Sequence, residues 1–245
     1  MQFLQSLFGI KSNITPSNVK MENPLYGQVL NQCELIKIVV PKELEYPDAI
    51  DVYDGINWDK TVVGGSTALK HYTKDDSFEP SDLDLLIKCS SKEEFDDEAT
   101  SFEVKSGATR IKDVWYPEDP AEREIFIQTR DPDLNKQEEM FHQRIKGSAT
   151  FRSNNIDKIQ LVCFGSRFGE NIDNNTIEDL TKEIVDLPAC VNYKILPDGS
   201  KCFSMPRFFP QMAILRTVPA DRICKSRRAK YETRGWKFIN DPFSS

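Results

Sequence analysis

Two short groups of residues stand out by their side-chain types and their spacing. Gly64, Gly65 and Ser66 follow one another, and Asp82 and Asp84 lie two residues apart further along the chain. Glycines let a phosphate approach the backbone closely, and a serine adds a hydroxyl donor. Paired carboxylates provide the oxygen ligands that magnesium prefers. Together these groups predict metal-assisted chemistry on a phosphate-containing substrate.

The neighbouring elements are predicted to hold both groups in position. Thr61–Val63 is typical of a short strand, and a helix is predicted to begin near Thr67. The glycines and the serine then lie at a helix N-terminus, where backbone N–H groups and partial positive charge favour an anion. Ser81–Ile87 has the two-residue period of a strand, which places Asp82 and Asp84 on one face.

Each motif taken alone has a simpler explanation. A Gly-Gly-Ser run is most often only a turn, and alternating aspartates most often form the solvated face of a strand. The order of a strand, Gly64–Ser66, a helix and then a strand with Asp82 and Asp84 is much more specific than either part. We therefore interpret the two motifs as one site.

The motif pair resembles the signature of the DNA polymerase beta-like nucleotidyltransferases. The resemblance rests on Val63–Ser66 with Asp82 and Asp84, within a looser likeness over roughly residues 55–240. Three later segments are similar to uncharacterised members from fungi and large DNA viruses: Lys158–Val162, Val185–Leu187 and Lys230–Gly235.

The resemblance implies an α+β nucleotidyltransferase fold of the polymerase beta-like palm type, with a mixed sheet flanked by helices and short N- and C-terminal helical extensions. It implies that Asp82 and Asp84 bind two Mg²⁺ ions, while Gly64, Gly65 and Ser66 hold the phosphates of an NTP. Members of the superfamily add a third carboxylate from a neighbouring strand, which completes the metal site and helps to deprotonate the acceptor hydroxyl.

The position expected for that third carboxylate is occupied by Gln160. A carboxamide coordinates weakly through its oxygen, and it cannot accept a proton at neutral pH. Asp157 is a poor substitute because it faces away from Gln160 on a regular strand. Asp186 is the better candidate for the catalytic set, although it could equally be a helix-end or turn residue.

Two functions remain open from the sequence. The first is a magnesium-dependent transfer of a nucleoside monophosphate from an NTP to an unidentified hydroxyl on a small molecule, a protein or an RNA end. A protein partner is also possible, since only about 45 residues follow residue 200 to grip an acceptor. The second is a catalytically degenerate module for nucleotide binding or protein interaction, which Gln160 motivates.

The predicted organisation is one domain with extensions: residues 1–28 as an N-terminal extension, 29–218 as the nucleotidyltransferase core and 219–245 as a basic C-terminal helix and tail. Proline near the start and Gly235 past the end predict a helix over residues 219–235. Its Arg227 and Arg228 are candidates to contact nucleotide phosphates. The alternative is a solvated helix whose basic residues balance the charge of acidic neighbours.

Other elements follow from apolar spacing. A strand is predicted to end before Pro41, and a charged helix to begin at Lys92. The remaining predictions are strands over Glu124–Gln128, Asp157–Phe164 and Leu187–Ile195, and a helix over Thr176–Ile184.

Composition limits the class of protein. The net charge of −7 argues against global attraction to nucleic acid, but a local basic groove remains possible. The six cysteines are widely scattered, which disfavours a zinc site or a disulfide framework. We also expect no membrane span, because no apolar run is long enough, and an intracellular location in the cytoplasm or nucleus.

Overall fold

The computed structural model describes residues 34–45, 50–130, 145–164, 176–179, 186–220, 223 and 227–239. Its ten strands are β1 (Leu35–Val40), β2 (Thr61–Val63), β3 (Leu83–Ile87), β4 (Thr109–Trp115), β5 (Ile145–Arg152), β6 (Ile159–Phe164), β7 (Asn192–Ile195), β8 (Lys201–Pro206), β9 (Thr217–Pro219) and β10 (Lys237–Ile239). Its α-helices are α1 (Gly65–Thr73), α2 (Lys92–Ser106), α3 (Pro120–Arg130), α4 (Phe209–Leu215) and α5 (Arg228–Thr233).

Eight strands form one mixed sheet with the order β1-β8-β7-β2-β3-β6-β5-β4. Strands β3 and β6 run parallel, and the other neighbouring pairs of this sheet run antiparallel. Strands β9 and β10 form a separate parallel pair. The expectation of an α+β protein with a mixed sheet flanked by helices is therefore confirmed.

The two faces of the sheet carry different cores. Leu85 of β3 belongs to the larger core, which also contains Leu69 of α1, Phe95 of α2 and Met212 of α4. The opposite face has a smaller core, which contains Ile127 of α3 together with Val62 of β2, Leu86 of β3 and Val162 of β6. Burial of each large aliphatic side chain contributes about 1.5–3 kcal/mol. Both cores therefore hold β3, the strand that carries Asp84, in a fixed place.

Two predicted boundaries agree with the structure. Strand β1 ends at Val40, immediately before Pro41, which has no N–H to continue a ladder. Helix α2 begins at Lys92, and the Ser91 side chain accepts a hydrogen bond from the Glu94 N–H. Gly107 ends the helix with a φ of +69°, a conformation that glycine adopts without strain.

The strand predicted over Glu124–Gln128 is wrong, because these residues lie within α3. Its N-terminus is set by Asp119, whose side chain accepts hydrogen bonds from the Ala121 and Glu122 N–H groups. The buried positions are Arg123 and Ile127, four residues apart, whereas Ile125 is 65% exposed. The short apolar run of residues 125–127 therefore did not reveal the helical period of burial.

The elements predicted near the C-terminus also need correction. Pro219 ends strand β9 instead of starting a helix, and α5 begins only at Arg228. Leu187–Ala189 forms a 3-10 turn, so the strand predicted from Leu187 starts at Asn192. Proline at position 188 lacks the N–H that a ladder needs, which accounts for the late start.

Several predictions fall outside the described residues. They concern the N-terminal extension over residues 1–28, most of the helix predicted over Thr176–Ile184, and the tail beyond Ile239. Ile177–Asp179, the part of that helix that is described, forms a 3-10 turn. Among the described residues, no helix is both long and apolar enough to cross a membrane.

Candidate active site

The Gly64–Ser66 turn is joined directly to the strand that carries the aspartates. The Gly64 N–H donates to the Asp84 carbonyl oxygen at 2.9 Å, and the Thr67 hydroxyl donates to the Asp82 carbonyl oxygen at 3.1 Å. Helix α1 follows the turn, with Gly64 as its N-cap residue. The first turn of α1 and the two aspartates therefore form one local structure, as the motif order predicts.

The backbone at both glycines lies close to side chains of β3. Gly65 has a φ of +62°, and a Cβ atom there would overlap the carboxylate oxygen Oδ2 of Asp84. A Cβ atom at Gly64 would lie 2.7 Å from Cδ1 of Leu86. A side chain at Gly65 would displace the Asp84 carboxylate and adopt a strained backbone conformation, whereas one at Gly64 would displace the Leu86 side chain.

The hydroxyl of Ser66 is a buried donor at this helix N-terminus. Ser66 is only 4% exposed, and its Oγ has no hydrogen-bond partner among the residues that the structure describes. An unsatisfied buried hydroxyl costs about 1–3 kcal/mol. A ligand oxygen at the N-terminus of α1 would satisfy it, together with the first N–H groups of the helix.

Asp82 and Asp84 form an acidic pair at the start of β3. Removal from water and the neighbouring Asp82 carboxylate raise the pKa of Asp84 to about 6, although Arg227, Lys230 and Lys158 act in the opposite direction. Asp82 is itself engaged, because the Lys158 ammonium group lies 3.3 Å from its Oδ2. The pair therefore attracts cations, and three basic side chains already act on it.

Gln160 lies beside Asp84, at the position expected for a third carboxylate. The parallel pairing of β3 and β6 places Asp84 opposite Gln160. Register partners in a sheet direct their side chains to the same face. The amide oxygen of Gln160 is therefore the next side-chain oxygen along this row, and it carries no charge.

Asp186 is deeply buried and is engaged by the C-terminal helix. It is 1% exposed, and its Oδ2 accepts hydrogen bonds from Arg227 Nη1 at 3.0 Å and from the Tyr231 hydroxyl at 3.4 Å. Burial, followed by the Asp186 charge, raises the pKa of Tyr231 well above its ordinary value. Asp186 thus anchors α5, and the charge of Arg227, the residue before this helix, also acts to lower the pKa of Asp84.

The two predicted arginines have different surroundings. Arg227 bonds Asp186, and its charge acts to lower the pKa of Asp84. The Arg228 side chain bonds Glu232 at 2.9 Å and lies over the Phe238 ring, 5.1 Å from its centroid. Of the two, the structure places Arg227 at the acidic pair.

Two basic residues of the site were missed in the sequence. Lys230 acts on Asp84 and Asp82, and burial lowers its own pKa. Its signal was the spacing of Arg227, Lys230 and Arg234, which share one side of a helix at intervals of three and four residues. Lys158 shares a strand face with Gln160, but its contact with Asp82 depends on the parallel register, which the sequence does not specify.

The described residues contain no group of three or more His, Cys, Asp or Glu side chains arranged to hold a metal ion. Asp186 therefore does not join Asp82 and Asp84 in a three-carboxylate set in this structure. The oxygen donors beside one another are the carboxylates of Asp82 and Asp84 and the amide of Gln160. Comparisons with family models, with curated proteins and with solved structures found no match to this chain.

Proposed function

We propose that this chain is a nucleotidyltransferase of the polymerase beta-like fold, which transfers a nucleoside monophosphate from a magnesium-bound NTP to a hydroxyl acceptor. The observation that carries the proposal is the buried Ser66 hydroxyl, which has no hydrogen-bond partner among the described residues and lies at a helix N-terminus hydrogen-bonded to the segment of Asp82 and Asp84. A phosphate held at this turn would lie beside a cation held by the aspartates, as a metal-bound triphosphate requires.

The triphosphate would lie between the turn and the C-terminal helix. Ser66 and the first N–H groups of α1 would donate to its oxygens from one side. Arg227 and Lys230, which already act on Asp84, would neutralise its charge from the other side. Asp84 of β3 and Asp82, the residue before this strand, would face the same phosphates.

The donor set suits magnesium, a hard cation that takes oxygen ligands. Asp82 and Asp84 would hold it, with the Gln160 amide oxygen as a weaker neutral donor. The raised pKa of Asp84 supports this assignment, because a cation between the two carboxylates would relieve their mutual repulsion. When bound, magnesium supplies charge neutralisation of the triphosphate.

Transfer of the nucleoside monophosphate requires no third carboxylate to account for its bonds and its proton. The acceptor oxygen forms a bond to the α-phosphorus, the bond from that phosphorus to the bridging oxygen breaks, and pyrophosphate leaves. The acceptor proton passes to water, because the carboxamide of Gln160 takes no proton at neutral pH. The chain contributes binding and alignment of the reacting groups.

A second candidate function is nucleotide binding without turnover. It is favoured by the neutral Gln160 in register with Asp84 and by Lys158, whose ammonium group lies against Asp82. A lysine in that position already balances part of the carboxylate charge, which weakens the attraction for a metal ion. Neither Gln160 nor Lys158 belongs to the proposed phosphate-binding turn. NTP binding is therefore expected under both candidate functions.

The test is magnesium-dependent pyrophosphate release, measured with each of the four NTPs and a panel of hydroxyl acceptors. The double variant Asp82→Asn/Asp84→Asn should lose release by about a hundredfold or more, because it lacks both charged ligands. The control Asp113→Asn, an exposed carboxylate paired with Arg110, should match the wild type. Release that persists in the double variant would overturn the proposal, and tight NTP binding with no release from the wild type would establish the second candidate.

A further inference from the structure

A cavity of about 350 Å³ lies on the face of the sheet opposite the acidic pair. Lys201 of β8 is in register with Ile195 of β7, and both residues line this cavity. They share a face with Tyr193 of the larger core, because side chains two residues apart on a strand lie on the same side. Asp84 alternates with Leu85 of that core, so it faces the other side. The cavity is therefore separate from the proposed nucleotide site.

The floor of the cavity is a largely buried ion pair. The Lys201 ammonium group lies 3.2 Å from Oε2 of Glu45, and the two side chains are 3% and 14% exposed. The same ammonium group lies over the rings of Tyr53 and Tyr193, 5.9 Å and 5.4 Å from their centroids. The two charges of the pair largely neutralise each other. The charged groups nearer the opening are therefore the ones that select a ligand.

The rim of the cavity carries three exposed charged residues, Lys42, Asp51 and Asp54. Lys42 adjoins the hairpin between β7 and β8, since a Cβ atom at Gly199 would lie 3.3 Å from its Cδ. Asp51 and Asp54 come from the segment before β2, and Asp51 accepts a hydrogen bond from the neutral Asn155 amide at 2.7 Å. Within the described part of the chain, none of the three rim residues forms an ion pair. The rim therefore has a positive part and a negative part, both available to a ligand.

The lining as a whole has one negative charge in excess, because two lysines oppose three carboxylates. The partly buried Ile50 and Ile195 add apolar surface. The volume is near the lower end of the range of about 300–1,000 Å³ for small-ligand pockets. A matching ligand is small, has a net charge of about +1 with both signs present, and has an aliphatic part. A basic amino acid has this chemistry, with one carboxylate, one ammonium group and a second cation at the end of an aliphatic chain.

We propose that this cavity binds a free basic amino acid. In this assignment Lys42 binds the carboxylate of the ligand, and Asp51 and Asp54 bind its two cationic groups. The aliphatic chain of the ligand packs against Ile50 and Ile195. The inference does not depend on the proposed function, since it concerns the opposite face of the sheet.

The experiment is isothermal titration calorimetry of the full chain with three probes at about 0.15 M salt, where exposed charges more than about 8 Å apart are largely screened. L-Arginine has all three charged groups, agmatine lacks the carboxylate, and L-citrulline lacks the side-chain charge. The wild type should bind L-arginine about fivefold more tightly than either analogue, since each analogue lacks one charged contact at the exposed rim.

Two rim variants assign the contacts of the ligand. Lys42→Gln should remove the preference for L-arginine over agmatine, because the carboxylate then loses the unpaired cation of the rim. Asp54→Asn should weaken binding of L-arginine and agmatine alike, by roughly fivefold. The controls Lys105→Gln and Asp97→Asn make the same charge changes at exposed positions of α2 and should leave all three affinities unchanged.

A wild type that does not bind L-arginine, or that binds L-arginine and agmatine equally, would overturn the proposal. Rim variants that bind all three probes as the wild type does would also overturn it, because the ligand would then lie elsewhere. Equal losses in the rim variants and in the controls would have the same meaning, since a chain with a net charge of −7 attracts cations without a specific site.

Discussion

Gly65 occupies the position where the turn comes closest to the acidic pair, so it is a sensitive test of the site. Its φ of +62° and the overlap of a Cβ atom with the Asp84 carboxylate both oppose a side chain. Gly65→Ala should lower the free energy of unfolding by about 2–4 kcal/mol, the cost of a left-handed alanine plus displacement of β3 or α1. Urea denaturation measures this loss, and NTP binding should fall with it.

Gly107 provides a matched control for that substitution. It also has a positive φ, +69°, but no atom lies within 4 Å of the position that its Cβ would occupy. Gly107→Ala should therefore cost only the conformational term of about 1–2 kcal/mol and leave NTP binding unchanged. Equal losses of stability in the two variants would show that contact between Gly65 and Asp84 has no energetic weight.

Asp84 predicts a pH dependence of stability in the metal-free protein. Burial and the Asp82 charge raise its pKa to about 6 in the folded state, from 3.8 in the unfolded chain. Between these values the folded state binds more protons, so the Asp84 contribution to stability falls as pH rises from about 4 to about 6 and stays constant above. Asp84→Asn removes this contribution.

The variant should therefore gain stability relative to the wild type across that pH range, reaching about 3 kcal/mol at neutral pH. Urea unfolding at a series of pH values, with chelator present, gives the difference between the two proteins. A difference that stays flat from about pH 4 to about pH 7 would contradict the assigned cause.

Individual site residues could be predicted from the sequence where the two-residue period of a single strand fixes the face on which they lie. Asp82 and Asp84 share a face because strands alternate, and Gln160 takes the place beside Asp84 that the motif alignment assigns to it. Lys158 and Lys230 were missed because their contacts depend on the register of β6 and the orientation of α5. Those are non-local properties, set by packing between segments far apart in the chain.

At the scale of elements, α5 contributes more than its six residues suggest. It covers only the C-terminal part of the helix predicted over residues 219–235, and Asp186 bonds Tyr231 of α5 and Arg227 immediately before it. The predicted helix start at Pro219 failed because that residue pairs with Ile239 between β9 and β10. A helix-capping pattern is local, so it carries no information about strand pairing with a segment twenty residues away.

The Arg227–Asp186 pair can be tested with a double-mutant cycle. Arg227→Gln and Asp186→Asn should each reduce stability, with a coupling free energy of about 0.5–3 kcal/mol because Asp186 is almost completely buried. The control is the Arg228–Glu232 pair of the same helix, where both side chains are partly exposed and the coupling should be about 0.3–0.5 kcal/mol. The cycle is measured by chemical denaturation of the four proteins in each set.

Similar coupling in the two pairs would mean that Asp186 does not anchor α5. If coupling is strong only for Arg227 and Asp186, then Asp186→Asn can lose activity indirectly, because Arg227 and α5 are no longer held in place. Activity measurements on Asp186 variants therefore need the stability measurement beside them. The same data decide whether Asp186 acts as a positioning residue for Arg227.

For the whole molecule, average charge was a poor guide to the surface. A net charge of −7 argues against nucleic-acid binding, yet the face of β4–β6 beside the acidic pair carries Lys112, Arg152 and Lys158. The acidic residues of α2 lie on the other face. Sequence gives the total charge, but the grouping of these three cations follows from strand alternation together with the pairing of β4, β5 and β6.

The order of strands in the sheet has a consequence for how the protein folds. Strand β2 has only three residues, and it lies between β3 and the much later β7. The turn that follows β2 therefore gains its full support only after residue 195 has been synthesised. Because contacts between distant segments slow folding, we expect a late, cooperative step in which the central strands close and the nucleotide turn takes its final form.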